Sequence, residues 1–123
     1  MTLIEAISKI DNLKHNTFTH EDKVGWLSRL DGMVKAEILD THEGGEGEWF
    51  FGYDTECDVE TELLVPAPYD EIYLRWLEAQ IDYANGEFSR YNNSMEMFNA
   101  AYQGYANYYN RTHMPKGKQN RYF

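Results

Sequence analysis

The chain has little of what usually announces a catalytic or membrane role. It carries one cysteine, Cys57, in 123 residues. That excludes a disulfide framework and fits a reducing compartment. Cys57 also stands among carboxylates, a poor setting for a nucleophile. Four histidines, His15, His20, His42 and His113, show no metal-ligand spacing. No signal-peptide pattern heads the chain, and no apolar run approaches the length of a membrane span. Without a secretion signal, the glycosylation patterns at Asn92 and Asn110 carry no meaning. Positive charge is scarce, with 11 Lys and Arg against 21 Asp and Glu, giving a net charge of −10. Such a balance excludes a sequence-independent grip on nucleic acid and fits a protein that repels DNA or meets a basic partner. No Gly-rich phosphate loop is present. Asp54 to Asp58 alternates oxygen ligands like the start of a calcium loop, but the glycine of the sharp turn is missing.

What is present is a helical pattern and many tyrosines. The length fits one domain, 1–123. Thr2 with Glu5 and Thr19 with Asp22 are capping boxes that open two helices. The first places Leu3, Ile7 and Ile10 on one face; the second carries Leu27, Leu30, Val34 and Ile38 and ends near His42. After Pro66-Ala67-Pro68, two interleaved heptad series begin. Leu74, Ile81, Phe88, Met95, Tyr102 and Tyr109 form one; Leu77, Ala84, Tyr91, Phe98 and Tyr105 form the other. Their phase survives Asn85-Gly86, which favours one continuous helix of roughly 60 Å from Tyr69 to Asn110 over a helical hairpin. A rod of that length outruns so small a chain. Its stripe is expected to pack on the short helices at one end and on another subunit, through Tyr91, Phe98, Tyr102, Tyr105 and Tyr109, at the other. The ten tyrosines, most of them after residue 68, suit surfaces apolar at one end and wet at the other. The expected fold is all-α: a small helical bundle with one long C-terminal helix or helical hairpin.

Two segments depart from this pattern. Residues 43–65 carry acid with no Lys or Arg, including Glu56, Asp58 and Glu60, around the aromatics Trp49, Phe50, Phe51 and Tyr53. This reads as a functional loop packed down by its aromatics, with or without a short β-hairpin. Residues 111–123 form a basic tail with Arg111, Lys116, Lys118 and Arg121 and the terminal pair Tyr122-Phe123. Pro115 and Gly117 keep it from continuing as helix. No catalytic residue, metal site or cofactor is predicted.

Several strings together carry a resemblance: Pro66-Ala67-Pro68-Tyr69-Asp70-Glu71-Ile72-Tyr73, Ile81-Asp82-Tyr83-Ala84-Asn85-Gly86-Glu87, Arg90-Tyr91-Asn92-Asn93, and Tyr108-Tyr109-Asn110-Arg111-Thr112-His113-Met114-Pro115. The chain resembles small proteins encoded in prophages of Gram-positive bacteria, commonly placed with the head–tail connector (adaptor) proteins of long-tailed phages. The resemblance implies a mostly helical, non-enzymatic subunit of a twelve-fold ring beneath the portal protein. That ring would pass DNA without binding it specifically and present a platform to the stopper or tail-completion protein. It implies a place in the virion, with assembly in the host cytoplasm and no membrane. It also implies portal docking through Arg111, Lys116, Lys118, Arg121, Tyr122 and Phe123; in such a ring the unneutralised charge of Glu56, Asp58 and Glu60 is expected to face the channel or a basic partner rim. The competing reading is a small acidic phage-encoded regulator or DNA mimic that binds a host protein. A hydrolase or metal enzyme has no constellation to support it.

Overall fold

A computed structural model describes residues 1–42 and 50–115. Among the described residues four α-helices make the fold: α1 (Leu3–Leu13), α2 (His20–Val34), α3 (Ile72–Ala84) and α4 (Phe88–Thr112). No strand occurs among the described residues; the only pairings of that kind are the isolated bridges Thr2 with Glu62 and His42 with Pro115. A β-hairpin within residues 50–65 is therefore absent, and residues 43–49 lie outside the described part.

Both capping boxes form as their sequences predict. Thr2 accepts from the Glu5 amide while Glu5 reaches back to the Thr2 amide, and Thr19 and Asp22 do the same for α2. Each box satisfies two of the amides that a helix start leaves open. At α1 the acidic loop completes the job. The Leu3 and Ile4 amides donate to the carbonyls of Thr61 and Val59, both at 3.0 Å. α2 widens into a π turn over Lys35–Leu39 before the chain leaves it. Its face Leu27, Leu30, Val34 and Ile38 is buried as the spacing predicts.

The continuous rod gives way to the hairpin. α3 ends at Ala84 and α4 starts at Phe88, with Gly86 between them at φ 75°. A side chain at that φ crowds the following carbonyl, so the backbone reverses where glycine allows it. The Glu87 amide donates to the Asp82 carbonyl at 2.9 Å and closes the turn. Reversal also changes where the stripe goes. Phe98, Tyr105 and Tyr109 are buried in the chain's own core together with Tyr73, Trp76 and Leu77 of α3. They are not left for a neighbouring subunit, because a helix folded back on α3 covers its own apolar face. Tyr91 and Tyr102 stay half-buried, and Phe88 is exposed.

α3 is the central element, packed against α1, α2 and α4. Charged pairs clamp the edges of this arrangement. Lys23 of α2, buried, meets Asp11 of α1 at 2.7 Å. Lys14, just past α1, meets the buried Asp82 of α3 at 2.7 Å, and Ser94 of α4 donates to the other Asp82 oxygen at 2.7 Å. One carboxylate thus joins three helices, held by a cation and a hydroxyl as a buried charge requires.

Candidate functional site

The acidic loop is built onto the helices, not draped over them. Asp31 of α2 is 0% exposed and lies beneath it. Its Oδ2 accepts from the Tyr53 hydroxyl at 2.5 Å and from the Leu64 amide at 3.0 Å. Its Oδ1 accepts from the Tyr73 hydroxyl of α3 at 2.6 Å. The Tyr73 oxygen in turn accepts from the Val65 amide at 2.7 Å. One buried carboxyl therefore fixes the loop at Tyr53 and again at Leu64-Val65. Burial pushes the Asp31 carboxyl above the usual range, and the three donors only partly offset this. The Tyr53 and Tyr73 hydroxyls are likewise pushed up, first by burial and then by the facing carboxylate.

The crossing of loop over α2 depends on one glycine. Gly52 has φ 90°, and a Cβ there would stand 2.7 Å from Ser28 Oγ. That Ser28 oxygen accepts from the Tyr53 amide at 2.9 Å. Two short turns then shape the crest. Asp54 accepts from the Glu56 amide and Asp58 from the Glu60 amide, both at 2.9 Å. These side chains mimic a backbone turn, which is why aspartate recurs at such places. The predicted residues Glu56, Asp58 and Glu60 are all exposed on this crest. Tyr53 rests edge-on against Phe50, with ring centroids 5.1 Å apart, whereas Phe51 is 90% exposed and Trp49 lies outside the described residues, so only part of the predicted aromatic packing forms.

Sequence reasoning missed that α2 extends the acidic surface. A groove of about 430 Å³ runs between the start of α2 and the loop, and Glu21, Asp22 and Asp54 line it with Trp26 and Arg29. The signal was present, since Glu21 and Asp22 occupy the first turn after the Thr19 cap. Only the fold places that turn beside Asp54.

The tail is described in part. Arg111 belongs to the last turn of α4 and is exposed. Lys116, Lys118, Arg121, Tyr122 and Phe123 lie outside the described residues. His113 stacks on Tyr109 at 3.8 Å, and Pro115 pairs with His42. His42 is buried, with its ring nitrogens 2.6 Å from the Ile38 carbonyl and 2.6 Å from Asn110 Oδ1. It holds the end of α4 to the end of α2.

Cys57 accepts from the Asp54 amide at 3.3 Å within the loop turn. Among the described residues no group of three or more His, Cys, Asp or Glu side chains could hold a metal. No helix there is long and apolar enough to cross a membrane. Comparison with protein-family models, curated proteins and solved structures matched none of them.

Proposed function

We propose that the chain is a structural subunit of a phage head–tail connector. It assembles as a ring, twelve-fold as the resemblance implies, between the portal protein and the stopper or tail-completion protein. Its work is to extend the DNA channel in the virion without catalysis or cofactor. The single observation that carries the reading is the fixed acidic crest. Glu56, Asp58 and Glu60 are exposed on a loop tied at Tyr53, Leu64 and Val65 to α2 and α3. Repeated around a ring, such crests add their fields, and DNA passes because the Coulomb term repels it. A loop whose charges were merely solvated would not require a buried carboxyl to position it.

The test mixes the purified chain with its portal and counts copies by mass photometry and negative-stain microscopy. Many copies per portal ring are expected. Removal of Lys116 to Phe123 spares the Pro115–His42 pairing and should weaken docking. Changing Glu56, Asp58 and Glu60 to their amides should leave docking largely intact and increase DNA retention at low salt. A chain that ignores the portal sinks the reading.

A second reading is favoured by the groove. Glu21 and Asp22 join Asp54, so carboxylates spread over two elements. This is the arrangement a DNA mimic needs to occupy a basic host protein. Capture of a host polymerase or repressor by the full chain, lost when Glu21 and Asp54 are changed to their amides, would favour it over the connector.

A further inference from the structure

The outward side of α4 carries less charge than those of α1 and α2. Directly opposite its buried residues lie Glu96, Ala100, Gln103, Gly104, Asn107 and Arg111, exposed except for the half-buried Gly104. In a chain of net charge −10 this stripe holds only one acid and one base, and it continues past Glu96 through the uncharged, exposed Asn93 and Ser89. Neither has an ion-pair partner among the described residues. α1 and α2 present more charge outward: Glu5, Lys9 and Asp11 on α1 and Glu21, Asp22 and Arg29 on α2 are all exposed. Two copies of so acidic a chain repel through their acidic faces, whereas the charges of this stripe cancel.

We propose that this face of α4 binds a second copy of the same chain, antiparallel, about a two-fold axis between Gln103 and Gly104. Charge complementarity selects this occupant and this direction. Glu96 and Arg111 lie about 22 Å apart along the helix, at equal distances from that axis. Antiparallel pairing sets Glu96 of each copy against Arg111 of the other, twice, whereas parallel pairing sets like against like. Between them the amides of Gln103 and Asn107 both donate and accept, so each can pair with its own kind. Gln103 already donates to Asn107 at 2.9 Å within one chain.

Gly104 is compatible with such a crossing. Its φ is not in the left-handed region, and no atom lies within 4 Å of where a Cβ would stand. Nothing inside the chain requires a glycine in the middle of this helix, where it weakens helical structure. A glycine here allows two backbones to approach closely, a freedom that Gly25 and Gly32 of α2 share. One helix on one helix is a small interface by the standards of stable complexes, so the dimer should dissociate on the order of 10 μM. The inference does not depend on the connector reading, since it concerns the free chain.

Sedimentation velocity on the full chain tests it. The wild type should pass from monomer to dimer with rising concentration. Glu96→Arg or Arg111→Glu alone creates two like-charge contacts and should weaken association about tenfold. An equimolar mixture of the two variants restores both opposite pairs, and a heterodimer of wild-type strength should form. Both sites are exposed, so circular dichroism should show each variant folded. A wild type that stays monomeric at high concentration, single variants that dimerise as well as it does, or a mixture that fails to associate would each overturn the proposal.

Discussion

Replacing Tyr73 with Phe removes one oxygen from the knot that holds the acidic loop and leaves the ring packing in place. Tyr73 is 0% exposed, and its hydroxyl donates to Asp31 at 2.6 Å while accepting from the Val65 amide at 2.7 Å. A hydrogen bond to a carboxylate contributes about 1.5–3 kcal/mol, and a buried amide left without an acceptor costs about 1–3 kcal/mol. Val65 is itself 0% exposed, so bulk water does not reach its amide in the folded chain. Asp31 keeps the Tyr53 hydroxyl and the Leu64 amide, which limits the loss at the carboxyl. The expected destabilisation is about 3–5 kcal/mol, a large part of the roughly 5–15 kcal/mol that holds a domain folded. Urea titration, followed by tryptophan fluorescence and far-ultraviolet circular dichroism, measures it directly. Tyr53→Phe is the control, expected to cost about 1–2 kcal/mol because Tyr53 is only half-buried. The double variant should fall short of the sum, since both hydroxyls act on one carboxyl. A loss under about 1 kcal/mol for Tyr73→Phe, with an unchanged slope in urea, would refute the claim that this oxygen fastens the loop.

Other variants probe the same construction elsewhere. Gly86→Ala should lower stability by about 1–2 kcal/mol in thermal melts, because φ 75° is strained for alanine although no atom would clash with its Cβ. A gain in stability would instead indicate a helix that runs through. Phe98→Asp places a charge at a site 2% exposed and should unfold the chain at room temperature, seen as lost dichroism. Asp31→Asn reports on the sign of a titration. A carboxyl whose folded value lies above its unfolded value favours folding when protonated, so the wild type loses stability as pH rises through that window. The asparagine variant lacks that loss, and the gap between the two chains should change in its favour from about pH 4 to pH 7 in urea titrations. A gap independent of pH would mean that the Asp31 value is not raised.

Much of the local structure could be read from the residues alone. The two capping boxes, the buried face of α2 and the helical character after Pro68 follow from rules that act over three or four residues, where side chain and backbone meet regardless of context. The hairpin was ambiguous for the same reason. Heptad phase counts residues, and a three-residue turn at Asn85-Gly86-Glu87 preserves the count whether the backbone continues or reverses. Only the contact of α4 with α3 decides between a stripe shared with another molecule and one buried in the same chain.

The acidic loop divides in the same way. Its charge, its aromatics and its lack of basic residues are written in the sequence and fix that it is solvent-facing yet anchored. That Asp31, in the middle of a helix, is the anchor could not be read locally. Its donors come from Tyr53, Leu64 and Tyr73, distant along the chain and brought together only when α3 packs on α2. The acidic groove likewise needs Glu21 beside Asp54, and the charge-poor face of α4 is distinct only once the opposite face is known to be buried. Sequence determined which residues are helical, which ends are capped and where charge is concentrated, because these depend on near neighbours. Tertiary structure decided which faces are spent in the core and which remain for a partner, because that depends on what folding brings against each helix.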